Sequence, residues 1–512
     1  MGGSAEKNEN PEVIRSVSAG DAEGRRRAWR IWAVGAAFLA ALLALFYPKT
    51  TIIADEMHYL SGSQYFLSGK AFDRSSEAWF WKQTRRKDGE SVERTLWAAS
   101  PTFSVLLIPF VAAGWHSAFV LGTVAQVLAF GGMIYVLRRR GLDPLWATLY
   151  LLHPTLVLYS RTVMADVPSS ALVVLVLVLL HRERPAYFLA GLVMGFMMML
   201  KMSNLPVVAV FALVTFARDM TWRWSKEADG SGGIRLRWLA MGLGMLPAIV
   251  GLALINAHFF NSPFGNGYRE EVAGFSSAHY LERLLYYAGM LMLFYPLMLA
   301  APVFLRGRYR WEMRLSCLGV LLFFSACVWV EPGNSLLEAA IRALRYQTTA
   351  LPFYIVAYAA MIPWLAKKVH AQRFIRAALA TAAVLLGVGA FVISQRLFDY
   401  SGHLASRQEA LDRVLPRSGT VVVEARYLSA VTHPELRLLR AWENLTGSLR
   451  QEDLPALLVL ESGQGVRTAV RHQQYDAMCA KAVARVREDY EVRPYGPSVE
   501  GIEIWEIVRK LR

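Results

Sequence analysis

The sequence predicts a polytopic α-helical membrane protein with about eleven transmembrane helices and a small C-terminal α/β domain outside the cytoplasm. The first observation is composition, because 55% of the 512 residues are hydrophobic and only 19% are charged. The second is that the apolar residues recur in long blocks, which a soluble core does not need. The third is the net charge of +15, most of which lies in short loops between these blocks. That placement indicates membrane topology rather than nucleic-acid binding.

The chain begins with a polar tail, residues 1–30, that becomes basic just before the first apolar block. We expect this tail to be cytoplasmic and the first block to be an uncleaved anchor, because no small-residue cleavage site follows it. The membrane domain, residues 31–393, then contains the predicted spans 31–47, 119–137, 145–159, 167–180, 187–200, 205–216, 238–255, 284–305, 315–330, 348–365 and 377–393. The apolar stretch 101–115, in a first outside loop of about 48–118, is short, and we expect it to lie along the interface or to re-enter.

These spans make every short cytoplasmic loop basic, which is the pattern expected of a correct topology. Counting 101–115 as a crossing would instead place the arginines of 138–140 outside. The last part of the chain, residues 394–512, is soluble in character and lies outside under this topology. Its predicted elements are strands at 421–424, 457–460 and 501–508 and helices at 403–414 and 470–487.

Charged side chains of both signs gather at the predicted outer boundary of the membrane. They are Asp55, Glu56, Asp166, Lys201, Glu331, Arg342 and Arg345. Each also has an ordinary structural interpretation: Asp55 and Asp166 could cap helices, Glu56 could lie in a first helical turn, and Lys201 could reach the interface. The histidines show no metal-ligand spacing, although His258 and His279 lie outside and could approach a metal ion.

This mixture of charges is suited to one chemical task. Cations at the level of the lipid headgroups can hold a phosphate or pyrophosphate. A nearby carboxylate can take a proton from an incoming nucleophile. A lipid phosphate fits such a site because its tail can stay in the bilayer while its charged head reaches these groups.

Five segments together resemble motifs of the GT-C superfamily of integral-membrane glycosyltransferases, and most closely the bacterial members related to protein O-mannosyltransferases and aminoarabinose transferases. They are ADEMHYL at 54–60, SRTVMADVP at 160–168, GLVMGFMMMLKMSNLP at 191–206, FFNSPFGNGY at 259–268 and RYQTTALP at 345–352. The resemblance covers most of the chain before residue 394. Its strength lies in the order of the segments and in their shared side of the membrane.

The resemblance implies an inverting transfer of a hexose or pentose from a polyprenyl-phosphate donor to a hydroxyl of a lipid, glycan or protein, at the periplasmic face of a bacterial inner membrane. Carried over by position, Asp55 would be the general base, and Asp166 would support the acceptor or a metal. Glu56 belongs with these as a catalytic candidate. The donor phosphate would be bound by Lys201, Arg345, Tyr346 and Arg342, and the substrate by Tyr59, Tyr268 and Glu331. A divalent metal ion is the one cofactor that the resemblance allows.

Two other classes of function compete with this interpretation. A transporter or flippase of lipid-linked or acidic solutes predicts an internal repeat and helices interrupted at mid-membrane. We find no convincing repeat, and the charged residues gather at one face instead. A non-catalytic scaffold, whose outside domain binds a partner, would leave the acidic residues Asp55, Glu56 and Asp166 without a role.

Overall fold

The structure is a computed structural model. It describes residues 11–69, 81–85, 92–96, 101–227, 236–260, 262–263, 277, 279–326, 335–423, 436–440, 454–461, 484, 486–488, 490–495 and 502–510. The helices of the described part are α1 Pro11–Leu45, α2 Ala54–Leu67, α3 Pro101–Ala112, α4 Phe119–Arg139, α5 Ala147–Leu151, α6 Pro154–Tyr159, α7 Asp166–Leu180, α8 Tyr187–Leu200, α9 Leu205–Glu227, α10 Arg237–Phe260, α11 Tyr280–Phe294, α12 Arg310–Ser325, α13 Leu336–Ala343, α14 Leu351–Lys368 and α15 Gln372–Asp412. The strands are β1 Trp81–Arg85, β2 Val92–Leu96, β3 Gly419–Val423, β4 Leu436–Arg440, β5 Ala456–Glu461, β6 Tyr490–Pro494 and β7 Ile502–Lys510.

Five helical segments of the described part are long and apolar enough to cross a membrane. They are Ala22–Leu45, Trp115–Arg139, Met202–Met220, Arg237–His258 and Gln372–Asp412. A sixth crossing results if Leu336–Gln347 and Leu351–Lys368, which meet at an angle of 104°, form one broken span. Helices α3, α7 and α8 are apolar but shorter than a bilayer-spanning helix. The figure of about eleven crossings therefore stays a prediction.

Two of the predicted spans are broken where a proline interrupts them. In the stretch predicted as 145–159, α5 ends at Leu151 and α6 begins at Pro154, with the ring nitrogen of His153 accepting a hydrogen bond from the amide of Thr155. In the stretch 284–305, α11 ends at Phe294, just before Pro296. Proline lacks an amide hydrogen and its ring clashes with the preceding turn, so neither stretch continues as one straight helix.

The predicted cytoplasmic loops contact one another at one end of the bundle. Arg27 pairs with Asp143, and Arg139 pairs with Glu183. Arg140 donates to the carbonyl oxygen of Arg308, in the loop before α12, and Arg218 at the far end of α9 pairs with Glu312 of α12. The basic residues that predicted the cytoplasmic side thus share one end of the molecule.

Helices α8 and α10 pack through small residues. Gly191 and Gly195 of α8 face Gly244 and Ala248 of α10, one helical turn apart on each helix. A Cβ atom added at Gly191 would fall on the carbonyl oxygen of Met241, and one added at Gly195 would lie 2.7 Å from the Cβ of Ala248. Small residues allow such close backbone approach in membrane proteins. Because α8 ends at Leu200, this packing fixes the position of the chain at residue 201.

The C-terminal part contains a five-stranded sheet in the order β4-β3-β5-β7-β6. Strands β4, β3 and β5 are parallel, whereas β7 is antiparallel to both β5 and β6. One face packs on Leu404, Leu411 and Leu415 at the end of α15. The sequence predicted β3, β5 and β7, but it did not predict β4 and β6 or the hairpin of β1 and β2. The predicted helix at 470–487 lies almost entirely outside the described residues.

Helix α15 is a single helix of 41 residues. The sequence predicted a span at 377–393 and a separate helix at 403–414, and the predicted domain boundary at residue 394 falls inside this helix. Its C-terminal half also packs on the chain just before α2. There Ser401 Oγ accepts a hydrogen bond from the amide of Lys49, and the side chains of Thr50 and Gln408 bond at 3.1 Å.

Candidate active site

A sharp corner in the chain places Arg345 at the end of the bundle opposite the basic loops. The corner is a short 3-10 helix, Leu344–Gln347, between α13 and α14. The guanidinium of Arg345 lies over the rings of Tyr346, at 5.1 Å, and Tyr159, at 5.8 Å. Cation–π contacts of this kind hold a guanidinium in one place while leaving its N–H groups able to bind oxygen.

Asp55 is the carboxylate that Arg345 binds. Nη2 of Arg345 donates to Oδ2 of Asp55 at 2.8 Å. The side chain of Asp55 is 44% exposed, whereas that of Arg345 is 10% exposed. Asp55 does not cap α2, because the residue at the N-cap position is Ile53. Asp55, the candidate base, is therefore accessible from the surface, and the cation that it binds is buried.

Asp166 and Lys201 form a second and more buried ion pair. Nζ of Lys201 donates to Oδ1 of Asp166 at 2.7 Å, and the side chain of Asp166 is 1% exposed. Oδ2 of Asp166 has no hydrogen-bond partner among the described residues. Asp166 begins α7 but does not cap it, since Ala165 occupies the N-cap position. Lys201 lies in the break between α8 and α9 and is turned inward to this acid.

One cavity joins the two ion pairs. Its lining residues are Asp166, Ser169, Lys201, Ser203, Asn204, Phe324, Arg345, Tyr346, Thr348 and Thr349. Its volume is about 10 Å³, which is enough for about one water molecule. The charges of both Asp55 and Asp166 act on Arg345. Four predicted site residues from three separate segments, Asp166, Lys201, Arg345 and Tyr346, therefore line one cavity, and Asp55 joins them through Arg345.

Glu56 follows Asp55 directly in the chain, but its side chain is turned toward the backbone. Its side chain is fully buried, and its carboxylate accepts hydrogen bonds from the amides of Ile52, Ile53 and Val163. The catalytic role predicted for Glu56 stays a prediction at this point. Its neighbour Asp55 is the member of the acidic pair that faces outward.

The structure does not bring all of the predicted residues together. Arg342 pairs with Glu338 on its own helix at 2.6 Å and does not line the cavity. Tyr59 is buried with its ring 4.6 Å from that of Phe103. The other two substrate-binding candidates, Tyr268 and Glu331, lie outside the described residues.

The histidines named as metal candidates are not part of the cavity. His279 lies 3.3 Å from Glu282 in the first turn of α11, and His258 is near the end of α10. Among the described residues, no group of three or more His, Cys, Asp or Glu side chains is arranged to hold a metal ion.

Several polar residues of the cavity were not predicted from the sequence, and Asn204 is the most buried of those with an unsatisfied atom. Asn204 is almost fully buried, and its amide donates to Ser169 Oγ at 3.0 Å and to the carbonyl of Met197. Its Oδ1 has no hydrogen-bond partner among the described residues. The signal that could have identified it is the polar stretch at 201–204 between two apolar runs. Tyr159, which lies under Arg345, gives no such signal, because a tyrosine in an apolar run is most often a packing residue.

Neither a protein-family model nor a curated protein matches this chain. Solved structures do: ArnT from Cupriavidus metallidurans bound to undecaprenyl phosphate is similar over 96% of this chain and 98% of its own, with a TM-score of 0.54 and 13% identity. Its apo structure covers the same shares at a TM-score of 0.54 and 11% identity. Arabinofuranosyltransferase AftD from Mycobacteria covers 94% of this chain and 42% of its own, with a TM-score of 0.48 and 13% identity. The likeness to ArnT confirms the predicted fold class, a helical GT-C membrane fold with a small C-terminal sheet, and at this identity it establishes the fold alone.

Proposed function

We propose that this protein is a glycosyltransferase that moves a sugar from a polyprenyl-phosphate donor to a hydroxyl acceptor, with Asp55 as the general base. The observation that carries the proposal is the single cavity at which the Asp55–Arg345 and Asp166–Lys201 pairs meet. ArnT, which is similar in fold, has been solved bound to undecaprenyl phosphate. A polyprenyl phosphate is the kind of group that two partly buried cations beside apolar helices can hold.

The reaction follows from the order of these groups. Asp55 takes the proton of the acceptor hydroxyl, and the resulting oxygen attacks the anomeric carbon of the sugar. The bond between that carbon and the phosphate oxygen breaks, and the electron pair leaves with the polyprenyl phosphate. Arg345 and Lys201 stabilise the negative charge of the leaving phosphate. Attack from the side opposite the phosphate inverts the anomeric carbon.

Both cations are bound to carboxylates before any phosphate arrives. Arg345 is held by Asp55 and Lys201 by Asp166. A donor phosphate that binds Arg345 must therefore compete with Asp55 for it. The same exchange releases the carboxylate of Asp55 for the acceptor, so donor binding prepares the base.

The active face is proposed to be periplasmic. The basic loops gather at one end of the molecule, and the Asp55 and Asp166 sites lie at the other. Basic loops face the cytoplasm in inner-membrane proteins. The donor sugar and its acceptor would then meet on the outside of a bacterial inner membrane.

The test is to incubate the purified protein in lipid nanodiscs with a panel of polyprenyl-phosphate sugars and a mixture of lipid, glycan and peptide acceptors. Mass spectrometry detects the free polyprenyl phosphate that is released. We expect release from at least one hexose or pentose donor, and a loss of at least about a hundredfold in Asp55→Asn, since general bases contribute on the order of 10²–10⁴ to rate.

The matched control is Asp143→Asn, which also removes a carboxylate bound to an arginine, but at the opposite end of the molecule. This variant should keep its activity. Equal release by Asp55→Asn and the unmutated protein would exclude Asp55 as the base. No release from any donor would contradict the proposed function.

A further inference from the structure

The carboxylate of Glu56 connects two segments that are far apart in sequence. Oε2 accepts from the amides of Ile52 and Ile53, at 2.7 and 2.8 Å, and so closes the start of α2. Oε1 accepts from the amide of Val163 at 2.8 Å. Val163 lies in the turn before α7. Oε2 therefore binds the start of the helix that carries Asp55, and Oε1 binds the turn that leads to Asp166.

The chemistry of this contact requires an ionised carboxylate. An ionised carboxylate has only acceptor oxygens, and here three backbone amide donors converge on it. The side chain has no exposed surface. A fully buried charge is costly unless it is satisfied by hydrogen bonds, and these three bonds provide that. The buried position also leaves Glu56 no route to a substrate in this arrangement.

We infer that Glu56 is a positioning residue, which fixes the distance between the base Asp55 and the acid Asp166 by joining the start of α2 to the turn before α7. The inference rests on the proposed function for the roles of Asp55 and Asp166. Asp55 is the residue directly before Glu56, and Asp166 follows Val163 by three residues. The two acids then face Arg345 and Lys201 with a fixed separation.

Because the two oxygens bind different segments, one substitution can remove the bond to Val163 and keep the bonds to Ile52 and Ile53. In Glu56→Gln, the amide oxygen can still accept from Ile52 and Ile53, which preserves the start of α2. The amide nitrogen then faces the N–H of Val163, so two donors meet and that bond is lost. Glu56→Gln therefore breaks the connection between the segments while it keeps the helix start.

The experiment measures kcat, donor KM and amide hydrogen exchange of the segment 160–166 in the full-length protein. In Glu56→Gln we expect faster exchange at Val163 and a fall in kcat of about ten- to a hundredfold, because misplacement of a catalytic group by about 1 Å costs on this order. The donor KM should change less than threefold, since Arg345 and Lys201 are untouched.

The matched control is Asp219→Asn. Asp219 is also a buried carboxylate on backbone amides, those of Arg237 and Trp238 at the start of α10, but it lies at the opposite end of the bundle. We expect a comparable change in thermal stability and an unchanged kcat. Glu56→Asp, whose shorter carboxylate cannot span both segments, should resemble Glu56→Gln rather than the unmutated protein.

The outcomes separate this inference from the proposed function. Unchanged exchange at Val163 in Glu56→Gln would overturn the connection itself, whether or not any transfer is detected. Faster exchange with an unchanged kcat would overturn the positioning role and leave the transferase standing. If the unmutated protein shows no transfer, the proposed function fails, and faster exchange would still support the connection through Glu56.

Discussion

At the scale of single residues, the carboxylate of Asp55 determines how readily Arg345 can bind a phosphate, because the two are paired. Asp55 is partly exposed, and its pair with Arg345 is the kind of half-screened contact that contributes little to stability. The pair matters instead because a phosphate would need the same guanidinium. Each acid at this site would therefore compete with the proposed donor phosphate for the cation that it binds.

Removal of the Asp55 charge should tighten the binding of the lipid phosphate while it abolishes transfer. In Asp55→Asn, Arg345 no longer has to leave a carboxylate. The affinity for a polyprenyl phosphate should therefore rise about two- to fivefold, which corresponds to up to about 1 kcal/mol for an ion pair whose carboxylate is partly exposed. Titration of polyprenyl phosphate into nanodiscs that contain either Asp55→Asn or the unmutated protein measures the two affinities. Weaker binding would show that Asp55 helps to hold the donor rather than to compete with it.

Because Glu56 titrates, the stability of the folded protein and kcat should change in opposite directions as the pH rises. The pKa of Glu56 is raised to about 7, because burial and, to a smaller extent, the charge of Asp55 outweigh the three backbone N–H bonds that lower it. The folded protein therefore binds this proton more readily than the unfolded chain, so stability falls as the pH rises from about 4.5 to about 7. The ionised form accepts best from all three amides at once, since both of its oxygens are acceptors, so kcat should rise over the upper part of the same window.

Rate and thermal-unfolding profiles against pH check this prediction. In Glu56→Gln both slopes should flatten, because the amide does not titrate. If kcat of Glu56→Gln rises with pH in the same way as kcat of the unmutated protein, the rise is caused by the ionisation of another group.

At the scale of the elements, the close packing of α8 and α10 determines where the chain breaks at Lys201. The two helices approach through Gly191, Gly195 and Gly244. Side chains larger than hydrogen at these positions would separate the helices and move the end of α8. The Asp166–Lys201 pair depends on that end.

Gly244→Ala should therefore lower the thermal stability by about 1–3 kcal/mol and weaken transfer, because its Cβ would meet the carbonyl oxygen of Phe188. Gly242→Ala is the matched control in the same helix, since nothing lies within 4 Å of a Cβ there. It should be neutral or stabilising by up to about 1 kcal/mol. Thermal unfolding in detergent compares the two, and equal effects would argue against the packing as the cause.

The sequence identified four charged residues that the structure brings together, but it did not predict all of the elements that carry them. Asp55, Asp166, Lys201 and Arg345 were identified because charged residues beside apolar blocks are costly and therefore conspicuous. Their partners were not predictable, because each ion pair joins segments that are 35 to 290 residues apart. An adjacent acid pair also gives no indication that Glu56 faces inward and Asp55 outward.

Two of the predicted spans are not single continuous helices, because proline outweighs hydropathy there. The apolar runs containing Pro154 and Pro296 have the composition of a membrane helix, but proline ends the helix in each. Strands β4 and β6 escaped prediction because they carry charged residues at several positions, which is typical of strands at the edges of a sheet.

At the scale of the whole molecule, the basic loops and the candidate site lie at opposite ends. This separation predicts that the two ends face opposite sides of the membrane. Ser406, an exposed residue of α15 beyond the predicted span, should face the periplasm. Glu183, in the loop after α7, should face the cytoplasm. The positive-inside rule is the reason for both assignments.

Cysteine labelling of intact cells tests this orientation. In a background without Cys317, Cys327 and Cys479, a membrane-impermeant maleimide should label Ser406→Cys and not Glu183→Cys. Both variants should react after the membrane is permeabilised. Labelling of Glu183→Cys alone in intact cells would invert the topology and place the site in the cytoplasm.

The continuity of α15 has a consequence for how the C-terminal sheet is oriented. Because one uninterrupted helix carries the chain from the membrane to β3, the number of residues in that helix sets the rotation of the sheet. One residue added after Ser394 would turn the sheet by about 100° and advance it by about 1.5 Å. The contacts of Ser401 and Gln408 with the chain before α2 would then be lost. Helical phase, rather than linker length, therefore determines the rotation of the C-terminal sheet about the axis of α15.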